Sequence, residues 1–119
     1  MKFYNDDHYD KYWKIRTEST RSDPEWDAVI YLGTLLDAIK PGFMMRMFDF
    51  EHERIRTSCL DDDWQTSTTR KICLLAFNLW NGFVDPDSPR DSSILGIFDG
   101  ELDEYFIDAI RIRVGILYE

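Results

Sequence analysis

The chain has 119 residues, enough for one domain and too few for two, and its 44% hydrophobic content supplies a core that needs no metal or disulfide staple. Twenty-three acids against 14 bases give a net charge of −9, which repels nucleic-acid phosphates and anionic membranes and favours a basic partner. An aromatic content of 15% argues against global disorder, and no uninterrupted apolar run approaches the ~18 residues of a membrane-crossing helix.

Asn5 is a good helix N-cap, and Asp6 and Asp7 suit the positive end of a helix dipole. Tyr9, Tyr12, Trp13 and Arg16 then recur at helical spacing, which predicts an amphipathic helix over 6–18. Asp23, Pro24 and Glu25 form a second start signal: a cap, a proline suited to the first turn, and an acid. Ala28, Val29, Ile30, Leu32, Leu35, Leu36 and Ile39 cover most of the circumference of the helix predicted over 24–39, so it should be buried on most sides. Gly33 costs such a helix about 1 kcal/mol relative to Ala. The expected compensation is close approach by another helix or a ring.

Pro41-Gly42 interrupts the pattern. Phe43, Met44, Met47, Phe48 and Phe50 then predict one short helix with a ragged end, followed by solvated surface from Glu51 to Arg56. A further turn is expected from Thr57 or Ser58 through Leu60 and Asp61. Thr66 or Ser67 opens the central helix, predicted over 67–81 around the apolar block from Ile72 to Trp80 and closed by Asn81-Gly82. Residues 84–93 are a loop by composition. Ile94, Leu95, Ile97 and Phe98 form a short apolar patch expected to dock on the core. The last helix is predicted from about Glu101 to Arg113, with Leu102, Phe106, Ala109 and Arg113 on one stripe and Gly115 at its end. The expected fold is all-α: an irregular bundle of four to five helices in one domain spanning 1–119, without a strand.

The segment Trp64-Gln65-Thr66-Ser67-Thr68-Thr69-Arg70-Lys71 is the most unusual stretch. Hydroxyls, free N–H groups and two cations at a helix N-terminus suit an anion or nucleotide. Trp64, Gln65, Thr66, Ser67, Arg70 and Lys71, with Asn78 inside the apolar helix that follows, are therefore the candidate ligand-binding residues. The plainer reading is that Thr66 or Ser67 caps the helix while Asp61, Asp62 and Asp63 answer the cations. Asn78 equally suits the pairing of a buried loop carbonyl.

From Asp85 to Asp108 there are eight carboxylates against Arg90 alone. Asp99, Glu101, Asp103, Glu104 and Asp108 are the candidate partner-binding residues, steering the chain toward a basic groove. Solubility is the plainer reading.

His8 and His52 join neither a His-x-x-x-His pair nor a cysteine pair at zinc spacing, so no metal site is expected. Asp85-Pro86-Asp87 begins like a calcium loop, but Arg90 and Gly96 stand where an EF-hand needs Gly and Glu. No Gly-x-Ser-x-Gly, P-loop or dinucleotide fingerprint is present, and no catalytic residue or cofactor is implied. Cys73 lies in the apolar block and reads as core, whereas Cys59 reads as more exposed. Without a Cys-x-x-Cys pair or an apolar signal region in Met1–Asp7, the expected setting is the cytoplasm with both thiols reduced.

Trp64-Gln65-Thr66, the run from Ser67 to Lys71 and Ala76-Phe77-Asn78-Leu79-Trp80-Asn81-Gly82 resemble a domain-of-unknown-function family of short proteins from Gram-positive bacteria and their mobile elements. Phe3-Tyr4-Asn5 with His8, Ile97-Phe98, Tyr105-Phe106 and Ala109-Ile110-Arg111-Ile112-Arg113 extend the likeness over nearly the whole chain. It departs after Arg113, where Val114-Gly115 replaces an aromatic-proline ending. The resemblance implies no activity. A mobile-element setting would suit an inhibitor of a basic host-defence protein such as a nuclease. The expected function is thus a non-catalytic acidic protein-interaction domain. Direct nucleic-acid binding and membrane association are disfavoured, and a small-ligand module at Thr66–Lys71 is the alternative.

Overall fold

Helix α2, Pro24–Ile39, runs through the centre of the computed structural model, which describes residues 1–116. Asp23 caps it by accepting a hydrogen bond from the Trp26 N–H at 2.9 Å. Every residue from Ala28 to Asp37 is buried. Three helices surround it: α1 (Asp6–Glu18), α4 (Ser67–Asn81) and α6 (Asp103–Arg113). Each fully buried Leu or Ile on such a helix stabilises the fold by roughly 1.5–3 kcal/mol. Tyr12 of α1, Ile72 to Phe77 of α4, and Phe106, Ala109 and Ile112 of α6 complete the core. The predicted spans 6–18, 24–39 and 67–81 are the observed ones. The fold is all-α apart from a two-stranded hairpin, with four long helices and the single turns α3 (Met44–Met47) and α5 (Ile94–Ile97).

Most polar groups inside this core are paired, the Trp13 indole N–H being an exception. The Thr34 hydroxyl donates to the Ile30 carbonyl at 2.7 Å. Asp37 sits near the negative end of the α2 dipole, an unfavourable place for a carboxylate. It is compensated there by the N–H of Gly42 at 2.9 Å and by an ion pair with Lys11. The side chain thereby ties α1 and the turn after α2 to one point. Gly33 meets the approach expected of it: a Cβ there would lie 2.9 Å from Met44 Cγ. The close neighbour is a methionine side chain of α3.

The segment 43–56 departs from the single ragged helix expected of it. After one turn, α3 gives way to β1 (Phe48–Asp49), which pairs antiparallel with β2 (Arg54–Ile55) in the register Phe48 to Ile55 and Asp49 to Arg54. Asp49 organises the turn by accepting hydrogen bonds from the His52 N–H at 3.2 Å and from His52 Nδ1 at 2.9 Å. Phe48 is fully buried against Trp26, Phe50 and Trp80, with ring centroids 5.8, 4.9 and 5.0 Å away. A helix continued past Met47 could not place both side chains this way. The last helix begins at Asp103, two residues later than expected, because the Asp103 carboxylate turns back to the Gly100 N–H at 3.1 Å. Its final arginine, Arg113, donates to the Leu79 carbonyl at 2.8 Å, linking the C-terminal turns of α6 and α4. No helix of the described residues is long and apolar enough to cross a membrane.

His8 is fully buried beneath α2. Its Nδ1 accepts from the Tyr4 N–H and its Nε2 faces the Tyr31 carbonyl, both at 3.0 Å, which selects the neutral tautomer with the proton on Nε2. Burial lowers its pKa to about 4, against the smaller opposing pull of the Tyr31 carbonyl and Asp7. Below the ordinary value of 6.5 the unfolded chain therefore binds a proton that the folded chain refuses. The stability this group supplies is complete above about pH 6.5 and declines as pH falls to about 4, by roughly 3 kcal/mol at 1.4 kcal/mol per unit. Urea unfolding across that window should show the decline. His8→Asn, though less stable at neutral pH, should lack it, and an equal decline in the variant would assign the proton elsewhere.

Candidate functional site

The polar segment at the head of α4 is held by its own internal hydrogen bonds. Thr66 Oγ1 accepts from the Thr69 N–H at 3.1 Å while Thr69 Oγ1 accepts from the Thr66 N–H at 2.8 Å, a reciprocal cap. Gln65 Oε1 accepts from the Thr69 hydroxyl at 2.7 Å. The Gln65 amide group donates to the Cys59 carbonyl at 3.0 Å and lies 3.8 and 3.6 Å from the sulfurs of Cys59 and Cys73. Trp64 stacks at a tilt on Phe43, with centroids 5.0 Å apart, and donates its indole N–H to Asp62 at 3.0 Å. Asn78 donates to the Phe83 carbonyl at 3.2 Å and closes the turn around Gly82, whose φ of 82° requires the left-handed region. Ser67 is exposed.

Cys59 is buried, which corrects the exposed position expected of it. The 3-10 turn Thr57–Asp61 lays Cys59 and Leu60 inward against α4. A hydrogen bond with Cys73, reinforced by burial, drives the Cys59 thiol well above its ordinary pKa. It is a protonated core residue and a poor nucleophile.

Arg70 and Lys71 carry the electrostatics of the site. Arg70 reaches Asp85 at 2.8 Å and Asp91 at 2.9 Å, so one guanidinium pins both ends of the 85–91 loop to α4. Lys71 pairs with Asp99, whose carboxyl is held below the usual range by that bond and by the Glu101 N–H. Between these pairs lies a surface pocket of about 250 Å³ lined by Ser67, Arg70, Lys71 and Leu74 of α4, Asp91, and Gly96 of α5. The structure thus brings Ser67, Arg70 and Lys71 together at one pocket, while Trp64, Gln65 and Asn78 turn to other tasks.

The acidic residues divide in the same way. Asp99 is paired with Lys71, and Glu104 with Lys2. Asp108 is largely buried and accepts from the Lys2 backbone N–H at 2.6 Å. Glu101 accepts from the Thr68 hydroxyl at 3.1 Å. Of the eight carboxylates from Asp85 to Asp108, Asp87, Glu101 and Asp103 make no ion pair with a described residue. No cluster of three or more His, Cys, Asp or Glu side chains suited to a metal ion occurs among the described residues.

One feature escapes a reading of composition. Of the apolar patch expected to dock, only Ile97 is buried and Phe98 half-buried; Ile94 is 70% and Leu95 83% exposed. A single helical turn has one inward face, and Gly96 and Ile97 occupy it. A Cβ on Gly96 would stand 2.4 Å from the Arg90 carbonyl oxygen and 2.7 Å from Asp91 Cα. Gly96 in the middle of the patch was the one available signal, because it marks close approach to backbone. Gly96→Ala should therefore destabilise the chain by about 1–3 kcal/mol through overpacking, read as a lower urea midpoint at unchanged slope. Ser67→Ala should leave the midpoint in place; equal midpoints for both variants would mean that α5 is not seated as described.

No curated protein and no solved structure matches the chain. The profile of one family matches residues 1–118, nearly the whole length over which the α2-centred core and its capped, ion-paired surface are built. The chain belongs to the DUF6075 family, a family of unknown function.

Proposed function

We propose that this chain is a non-catalytic interaction domain that binds a basic surface on another protein. The observation that carries this reading is the uneven charge: eight carboxylates stand between Asp85 and Asp108 against Arg90 alone, on a chain whose net charge is −9, and Asp87, Glu101 and Asp103 are the three of them that make no ion pair with a described residue. A field of this sign speeds encounter with a cationic surface and repels nucleic acid and anionic lipid. The engagement of Trp64, Gln65, Thr66, Arg70, Lys71 and Asn78 in internal bonds favours a structural use of that segment. Two free, buried thiols, Cys59 and Cys73, suit a reducing cytoplasm. Inhibition of a basic host-defence protein by a mobile-element product is the finer form of the proposal, and it rests on the family resemblance.

The experiment is affinity capture from cells that make the chain, at low and at high salt. Wild type should retain a basic protein at low salt and release it as salt rises. The triple variant Asp87→Asn, Glu101→Gln, Asp103→Asn should retain at least about tenfold less, with an unchanged melting temperature. Equal, salt-independent retention by both forms would remove the motive for the reading.

The pocket beside Arg70 and Lys71 favours a second reading, a small-ligand module for an anion or nucleotide. Inorganic phosphate and nucleoside triphosphates should then raise the melting temperature of wild type and leave that of Lys71→Ala unmoved. No shift in wild type, or an equal shift in both, would reject that pocket as the site.

A further inference from the structure

We propose that Ile94 and Leu95 are the apolar centre of the interface, inserting into an apolar recess rimmed by Lys and Arg on the partner. This rests on reading the chain as the binder of a basic protein, and it names the surface that does the binding. Ile94 and Leu95 are, among the described residues, the two most exposed large apolar side chains.

They are also held rigidly. Ser93 caps their helical turn, its Oγ accepting from the Gly96 N–H at 3.3 Å. Gly96 sits directly on the Arg90–Asp91 backbone, in space that a Cβ would need. Ile97 anchors the turn in the core. The loop on one side is tied to α4 by Arg70 through Asp85 and Asp91, and the segment on the other side by Lys71 through Asp99. Two aliphatic side chains left in water at the tip of a mobile loop would have no consequence. The same pair on a turn fixed by a cap, a glycine contact and three ion pairs has little ordering entropy left to lose on binding, which is the condition for a strong anchor.

Charge selects the occupant. From Asp85 to Asp103 six carboxylates, Asp85, Asp87, Asp91, Asp99, Glu101 and Asp103, outnumber the cations Arg70, Lys71 and Arg90 of the same region. A second copy of the chain docked symmetrically would set acidic rim against acidic rim. A recess with a cationic rim accepts both the apolar pair and its surroundings, and the central-anchor, polar-rim arrangement is that of ordinary protein interfaces.

The test compares three forms of the full chain against the basic protein retained by wild type: wild type itself, Ile94→Ser with Leu95→Ser, and the triple variant lacking the charges of Asp87, Glu101 and Asp103. Both serine changes are at exposed positions, and melting temperatures verify that the fold is kept. The serine variant should bind at least about tenfold more weakly, through faster dissociation, and the deficit should persist at high salt because it is apolar. The charge variant should lose association rate, a deficit that vanishes at high salt. If the serine variant binds as wild type does while the charge variant is weakened, this surface is wrong and the acidic reading survives. If no basic protein is retained, or neither variant is weakened, the acidic reading fails and this proposal with it. A wild-type dimer in sedimentation that the serine changes dissolve would overturn the proposal in favour of a second copy.

Discussion

The burial of α2 on all sides is the constraint from which the rest of the structure follows. A helix with ten successive buried residues, Ala28 to Asp37, cannot lie on a surface. It demands neighbours around its circumference, and α1, α4 and α6 supply them. Its polar atoms then need partners in the interior, since an unpaired buried polar group costs about 1–3 kcal/mol. Thr34 turns to its own helix, Asp37 gathers the following turn and Lys11, and the Tyr31 carbonyl takes the Nε2 proton of His8. The acid sensitivity expected of His8 is thus a consequence of enclosing α2.

Around this core the charges do two jobs. Arg70, Lys71 and Lys2 draw five of the eight carboxylates between Asp85 and Asp108 into contact with their side chains or, for Asp108, with the Lys2 backbone N–H, and so fasten the irregular segment before α6 to α4 and the N-terminus to α6. A cation in the first turn of α4 opposes the helix dipole, and the carboxylates that converge on Arg70 offset that penalty. Capping and pairing therefore belong to one local solution. Asp87, Glu101 and Asp103, which make no ion pair among the described residues, flank the fixed apolar turn in sequence and outnumber the equally unpaired Arg90. The proposed docking surface rests on that combination, since a steering field and an anchor are the two properties that set association rate and residence time in protein complexes.

At the head of α4 the Thr66 and Thr69 N–H groups are satisfied by each other's side chains. Thr66, Thr69 and Gln65 form a closed set with Cys59. That closure explains the hydroxyls of Thr66 and Thr69, and the adjoining pocket is lined by Ser67, Arg70, Lys71 and Asp91.

Helix ends with local chemistry were legible in the sequence. Asn5, Asp23 with Pro24, and Thr66 with Gly82 mark α1, α2 and α4 because a cap acts within four residues of itself, and the apolar periodicity of α2 and α4 announced their burial. Family membership was legible too, since it resides in the order of residues. Three features lay beyond that reach. Met44 to Ile55 became a turn and a hairpin because Phe48 found Trp26 and Trp80, residues more than 20 positions away on either side. Cys59 went inside because α4 lay against its turn. The segment from Ile94 to Phe98 split into an inward and an outward half because Gly96 met the Arg90 carbonyl and because Arg70 and Lys71, on another helix, chose their carboxylates. Caps and periodicity are properties of neighbours in sequence, so the chain alone determined the helices and their buried faces. Which charges are cancelled and which apolar side chains stay in water depends on distances between remote segments, and only the tertiary structure decided those.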